Sequence, residues 1–147
     1  NSILASNLMQ IEKGLNLILE TDKKKIGILG FSFKAGTDDL RESPMVEIIE
    51  RLIGKGMDIR IYDQNVNMAK LMGANKDFIL NRIPHISKLM VDDSSEVVDH
   101  AEVLVIGNGS EEFKTVAGSA QDSKIVIDLV RILNQKTIEG RYHGICW

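Results

Sequence analysis

Short apolar runs alternate with helix-forming stretches along most of this chain, and that alternation restricts the fold more than any other feature. Strand-like runs fall at Ile26–Leu29, Asp58–Tyr62, Lys88–Val91, Val103–Ile106 and Ile125–Leu129. Helical periodicity occupies Pro44–Ile53, Val66–Met72, Lys76–Arg82, Ser95–His100 and Glu112–Val116 between them. Short strands that are apolar at nearly every position are buried on both faces, and strand–helix–strand units pair their strands in parallel through right-handed crossovers. The expected fold is therefore α/β and Rossmann-like, a mainly parallel sheet with helices on both faces, preceded by a long N-terminal helix.

That helix is read from Leu4, Leu8, Ile11, Leu15 and Ile18, which recur at spacings of four and three and form one apolar stripe. The chain opens on Asn1 and is helical at once, so the helix either continues from an upstream domain or is an ordinary amphipathic helix lying on the sheet. A hydrophobic share of 44% and a mean hydropathy of −0.04 suit one packed core in 147 residues. The net charge of −3 includes no basic run beyond Lys23-Lys24-Lys25, which gives no electrostatic case for nucleic acid or an anionic membrane. No apolar run approaches the roughly 20 residues that span a bilayer. Cys146 is the one cysteine, so no intrachain disulfide can form; this fits a reducing compartment, and the cytoplasm is the expected location.

Chemistry is expected in the connection Gly30-Phe-Ser-Phe-Lys-Ala-Gly-Thr-Asp-Asp-Leu-Arg-Glu-Ser-Pro44. It joins a strand to a helix at the carboxyl end of the sheet, where α/β folds bind ligands, and it far exceeds the roughly 2–6 residues such connections take. The turn itself, Gly27-Ile-Leu-Gly30-Phe-Ser-Phe33, lacks the Gly-x-Gly-x-x-Gly spacing that brings a backbone against a pyrophosphate. Asp63 lies too far beyond Gly30 for the ribose-binding carboxylate of that fingerprint, so a capping or turn role suits it better. Within the loop, Lys34 offers a point charge and Arg41 a planar fork that bonds phosphate or carboxylate with two parallel hydrogen bonds. Asp38, Asp39 and Glu42 outnumber them and are placed to cap turns and hold the two cations. On chemistry alone, a ligand-binding loop and a solvated loop with internal ion pairs stand even.

The same run resembles the Phe-Lys-x-x-Thr-x-Asp-x-Arg-x-Ser-Pro signature of the UDP-glucose/GDP-mannose dehydrogenase family, at the start of its C-terminal nucleotide-sugar-binding domain. Phe33, Lys34, Thr37, Asp39, Arg41, Ser43 and Pro44 all fall in register. The likeness extends over essentially the whole chain: residues 1–22 resemble the end of the family's central linking helix, and residues 23–147 its C-terminal domain. It implies an NAD-dependent enzyme that oxidises the C6 alcohol of a nucleotide sugar to a carboxylic acid in two hydride transfers. The aldehyde-level species is held by a cysteine thiolate.

That cysteine belongs upstream of Asn1, and Cys146 lies outside its motif, so no catalytic residue is expected in this chain and the chain alone is expected to be inactive. Carried over residue by residue, the resemblance implies that Phe33 and Lys34 contact the nucleotide sugar and that Arg41 reaches towards NAD across the interface with the protein's own N-terminal NAD-binding domain. The loop wording, Ile106-Gly-Asn-Gly109 and the ending Gly144-Ile-Cys-Trp147 are most similar to the GDP-mannose branch. UDP-glucose or a UDP-N-acetylhexosamine is the alternative sugar, and a non-catalytic nucleotide-binding module is the alternative of another class. An exposed stripe on the first helix, together with the resemblance, favours a homodimer or higher oligomer. Arg131 reads as a surface residue, and Tyr142 and Trp147 carry no assignment. His85, His100 and His143 share no metal-ligand spacing, so no metal site is expected.

Overall fold

A computed structural model describes residues 2–30, 44–64, 84–107, 112–113, 115–116, 124–129 and 142–144. Five strands form one sheet: β1 (Lys25–Leu29), β2 (Asp58–Tyr62), β3 (Val103–Ile106), β4 (Ile125–Asp128) and β5 (Tyr142–Gly144), in the order β2-β1-β3-β4-β5. Every pairing is parallel, with Gly27 opposite both Arg60 and Leu104, and Leu104 in turn opposite Val126. Among the described residues the named helices are α1 (Ser2–Glu20), α2 (Pro44–Gly54), α3 (Pro84–Ser87) and α4 (Ser94–His100).

The period-two alternation of a strand sends successive side chains to opposite faces, and both faces are buried. Ile26, Ile28, Val103, Val105 and Ile127 meet Ile48, Ile49 and Leu52 of α2 on one side. On the other, Leu29, Leu104, Ile106 and Val126 meet Val97 of α4 and Phe113. The expected parallel sheet with helices on both faces is what the chain forms.

Helix α1 joins the first face. Ile11, Leu15 and Ile18 are buried in the same cluster as α2 and the strands, and three buried aliphatic side chains supply several kcal/mol, at about 1.5–3 kcal/mol each. An exposed ion pair from Arg51 of α2 to Glu12 adds little beside that. This corrects the expectation of an exposed stripe: at Ile11, Leu15 and Ile18 the stripe is consumed by the domain's own core.

Two further differences from the sequence reading have local causes. Lys88–Val91 is not a strand but a single bridge, Ile61 to Met90, on the outer edge of β2. The amides of Lys88, Leu89 and Met90 are spent closing the turn after α3, on the carbonyls of Pro84, Ile86 and Ser87. Strand β5 went unread because three residues, Tyr142-His-Gly144, carry no apolar run; its pairing with Val126–Asp128 defines it.

At the carboxyl edge of the sheet, Asp93 caps α4 by accepting the Ser95 amide at 2.9 Å, while the other end of α4 lies at the amino edge. His100 Nε2 donates to the Asp58 carbonyl at 3.0 Å, and Lys124 Nζ donates to the Ala101 carbonyl at 2.6 Å. These bonds tie α4 to the ends of β2 and β4 opposite to the edge where the long loop departs. Among the described residues no helix is long and apolar enough to cross a membrane, and no three His, Cys, Asp or Glu side chains are grouped to hold a metal ion.

Candidate functional site

The order β2-β1-β3 makes the chain leave β1 for one neighbour and later return to its other side. Such a reversal opens a crevice outside the carboxyl ends of the two strands, which is where open α/β sheets bind ligands. Here that point lies between Gly30, which follows β1, and Gly107, which follows β3.

The hydrogen-bond ladder continues one residue past the strands. Gly30 donates its N–H to the Tyr62 carbonyl at 2.9 Å, Gly107 to Leu29 at 2.9 Å, and Leu129 to Ile106 at 3.1 Å. Gly30 has φ +86°, a left-handed conformation that strains any residue with a Cβ. The loop returns through Pro44 to Met45, which is 1% exposed. Met45 lies so near Gly107 that a Cβ added there would stand 2.7 Å from its Cγ and would overlap the Gly30 carbonyl oxygen. Both ends of segment 31–43 therefore meet at the switch point.

Phe33, Lys34 and Arg41 lie outside the described residues, as do Thr37, Asp38, Asp39, Glu42 and Ser43. So do Asn108–Ser110, Arg131 and Cys146. What the structure fixes is the position of Gly30 and Pro44, between which the expected site residues lie in sequence.

The end of β2 has a different character. Asp63 is 1% exposed and directly precedes helical Gln64, a placement that suits the expected turn or cap and not a carboxylate held out to a ribose. Tyr62 packs edge-on against Phe113, with ring centroids 6.4 Å apart and planes at 79°. Burial raises the pKa of the Tyr62 hydroxyl, and the negative charges of Glu112, Asp93 and Asp63 raise it further. Burial likewise raises the Glu112 carboxyl, with Asp63 adding like-charge repulsion. Negative charge thus gathers beside the end of β2, which makes this corner a poor seat for a phosphate. Sequence reasoning missed this cluster, because only the crossing of the chain over β1 brings Glu112 and Phe113 to Tyr62.

A testable consequence follows for Glu112. A carboxyl whose folded pKa is raised contributes stability below its unfolded value, near 4.5, and loses that contribution as pH rises through the folded pKa. Glu112→Gln is expected to raise the melting temperature slightly at pH 7, with the gain vanishing below about pH 4. A melting curve series from pH 3.5 to 8 reads this directly, and a variant less stable than the parent at pH 7 would contradict it.

Residues 27–135 match the model of the UDP-glucose/GDP-mannose dehydrogenase family, UDP binding domain. The chain belongs to that family. Among relatives of this UDP-glucose/GDP-mannose dehydrogenase family domain, the GDP-mannose 6-dehydrogenase of Pseudomonas syringae pv. tomato is 47% identical over 148 aligned positions, taking in 100% of this chain and 34% of the relative. The UDP-glucose 6-dehydrogenase of Rickettsia bellii is 30% identical over 145 positions, 93% of this chain and 31% of the relative. The crystal structure of a ternary complex of GDP-mannose dehydrogenase from Pseudomonas aeruginosa matches with a TM-score of 0.92 at 49% identity, over 99% of this chain and 33% of that one. The chain spans about a third of the length of the curated relatives it matches.

Proposed function

We propose that this chain is the C-terminal, nucleotide-sugar-binding domain of an NAD-dependent GDP-mannose 6-dehydrogenase, which converts GDP-mannose to GDP-mannuronate. The observation that carries the choice of sugar is the gradient of likeness: 47% identity to a GDP-mannose enzyme against 30% to a UDP-glucose enzyme. Residues 23–147 form the domain, and residues 1–22 are the end of a linking helix from an N-terminal NAD-binding domain. The burial of Ile11, Leu15 and Ile18 supports this, since it fixes the end of that helix to the domain's own core.

Phe33 and Lys34 contact the nucleotide sugar, with the Lys34 ammonium beside its oxygens. Arg41 faces NAD, where its fork suits a phosphate. Asp39 and Ser43 hold Arg41 and cap α2. The donor chemistry fits the two ligands: both carry phosphates, the loop supplies two cations, and the acidic corner beside Tyr62 directs anions away from β2. NAD held partly by Arg41 would supply the hydride-accepting chemistry for oxidation at C6. The chain's own part is to bind, orient and shield the sugar while the nucleophile and most of the NAD fold are supplied from outside it. The full-length enzyme works in the cytoplasm as a homodimer or higher oligomer.

Oxidation of a primary alcohol to a carboxylate removes four electrons as two hydrides, with water supplying the second oxygen. The full-length protein is therefore expected to form two NADH for each GDP-mannose consumed. Absence of GDP-mannose turnover, with activity on a UDP sugar, would favour the alternative branch.

A further inference from the structure

We infer that residues 84–91 form a strap that closes the outer edge of the sheet against the addition of a further strand. The inference does not depend on which nucleotide sugar the protein takes.

Strand β2 stands at one end of the order β2-β1-β3-β4-β5, and an end strand presents N–H and C=O groups on which another chain can pair. In a parallel ladder the two backbone groups of one residue point to one side and those of the next residue to the other. Asp58 donates to the Lys24 carbonyl at 2.8 Å, and the Tyr62 carbonyl accepts from Gly30 at 2.9 Å, so Ile59 and Ile61 are the residues that face outward. Ile61 donates to the Leu89 carbonyl at 3.0 Å, and its own carbonyl accepts the Val91 amide at 2.8 Å. The Ile59 carbonyl accepts Nη1 of its neighbour Arg60 at 3.2 Å, and that nitrogen also bonds Asp58 Oδ1 at 3.2 Å. Among the described residues, the strap and Arg60 thus occupy both Ile61 groups and the Ile59 carbonyl.

The strap does not become a new edge itself. Met90, which stands beside Ile61, turns its own backbone groups outward, yet its amide is bonded back to the Ser87 carbonyl at 3.2 Å, and pairing stops after the one bridge. Exposed Lys88 and Asp92 flank that bridge, and charge on an edge disfavours pairing. Apolar contacts on both faces hold the strap in place. Ile86 is fully buried in the cluster that Leu89 and Met90 pack against, and Val91 packs against the cluster on the opposite face of the sheet. The pair of His85 with Glu50, exposed and 3.8 Å apart, adds little to this.

The experiment uses the full-length protein and two strap variants. Val91→Pro removes the amide that reaches the Ile61 carbonyl, and Ile86→Ala empties the anchor. Ile127→Ala is the control, an equally buried residue on β4, away from this edge. Each variant is held at the temperature that gives all of them the same folded fraction, so that general loss of stability is matched. Hydrogen exchange at the Ile61 amide and growth of thioflavin-positive aggregate are then followed. Both strap variants are expected to exchange Ile61 about tenfold faster than the control, and to aggregate about tenfold faster, while exchange at the Val105 amide of β3 stays within about twofold. Should either fail to fold, the milder Ile86→Val carries the comparison in the same direction. Aggregation no faster than that of Ile127→Ala, or unchanged exchange at Ile61, would overturn the inference.

Discussion

Phe113→Ala is expected to destabilise this domain by about 3–5 kcal/mol, the range for emptying an aromatic site in a packed core. Phe113 is 1% exposed and belongs to the cluster that covers one face of the sheet with Leu29, Leu104 and Val126. It also meets Tyr62 edge-on, a geometry worth about 0.5–1.5 kcal/mol beyond area burial. Phe113→Leu keeps most of the apolar area and loses the ring contact, so its loss should be the smaller of the two. Hydrogen exchange at the amides of β1 and β3 reports the stability of this domain whatever the rest of a longer chain does. Protection unchanged by Phe113→Ala would show that the second face of the sheet does not depend on that ring.

The second large effect concerns ligands. In the full-length protein, Lys34→Ala is expected to raise KM for the nucleotide sugar with little change for NAD, and Arg41→Ala to do the reverse. A charge-assisted hydrogen bond contributes about 1.5–3 kcal/mol, which corresponds to about 10- to 150-fold in binding. Arg41→Lys is informative beside it, since lysine keeps the charge and gives up the bidentate fork. Equal and small effects of both alanine variants on both ligands would mean that the loop is a solvated charged turn with internal ion pairs.

Much of the fold is legible in the residues. Strands β1, β3 and β4 announce themselves because a parallel sheet covered on both faces demands apolar residues at nearly every position, as Val103-Leu-Val-Ile106 supplies, whereas β2, at the edge, alternates as Asp58-Ile-Arg-Ile-Tyr62. Where backbone bonding overrides composition, the pattern misleads: Lys88–Val91 is apolar enough for a strand, yet the amides of Lys88, Leu89 and Met90 close the turn after α3 and only that of Val91 reaches β2. Strand β5 is defined by its partner and not by its residues, so no local signal marks it. The stripe on α1 is legible as amphipathic, but only packing shows that Ile11, Leu15 and Ile18 face the domain's own core.

The site divides in the same way. The spacing of Phe33, Lys34, Thr37, Asp39, Arg41, Ser43 and Pro44 is carried by the chain itself and identifies the loop without coordinates. The partnership of Gly107 with Gly30 and Met45, and the gathering of Glu112, Asp63 and Asp93 about Tyr62, join residues distant in sequence. They exist because the chain reverses its direction of travel at β1, and no periodicity encodes them.

The ratio of kcat/KM for GDP-mannose to that for UDP-glucose, measured as NADH formation by the full-length protein, tests the proposed substrate most directly. A ratio well above one, with two NADH formed per GDP-mannose, is the expected result. A ratio below one, or no NADH from GDP-mannose under conditions where UDP-glucose reacts, would contradict it.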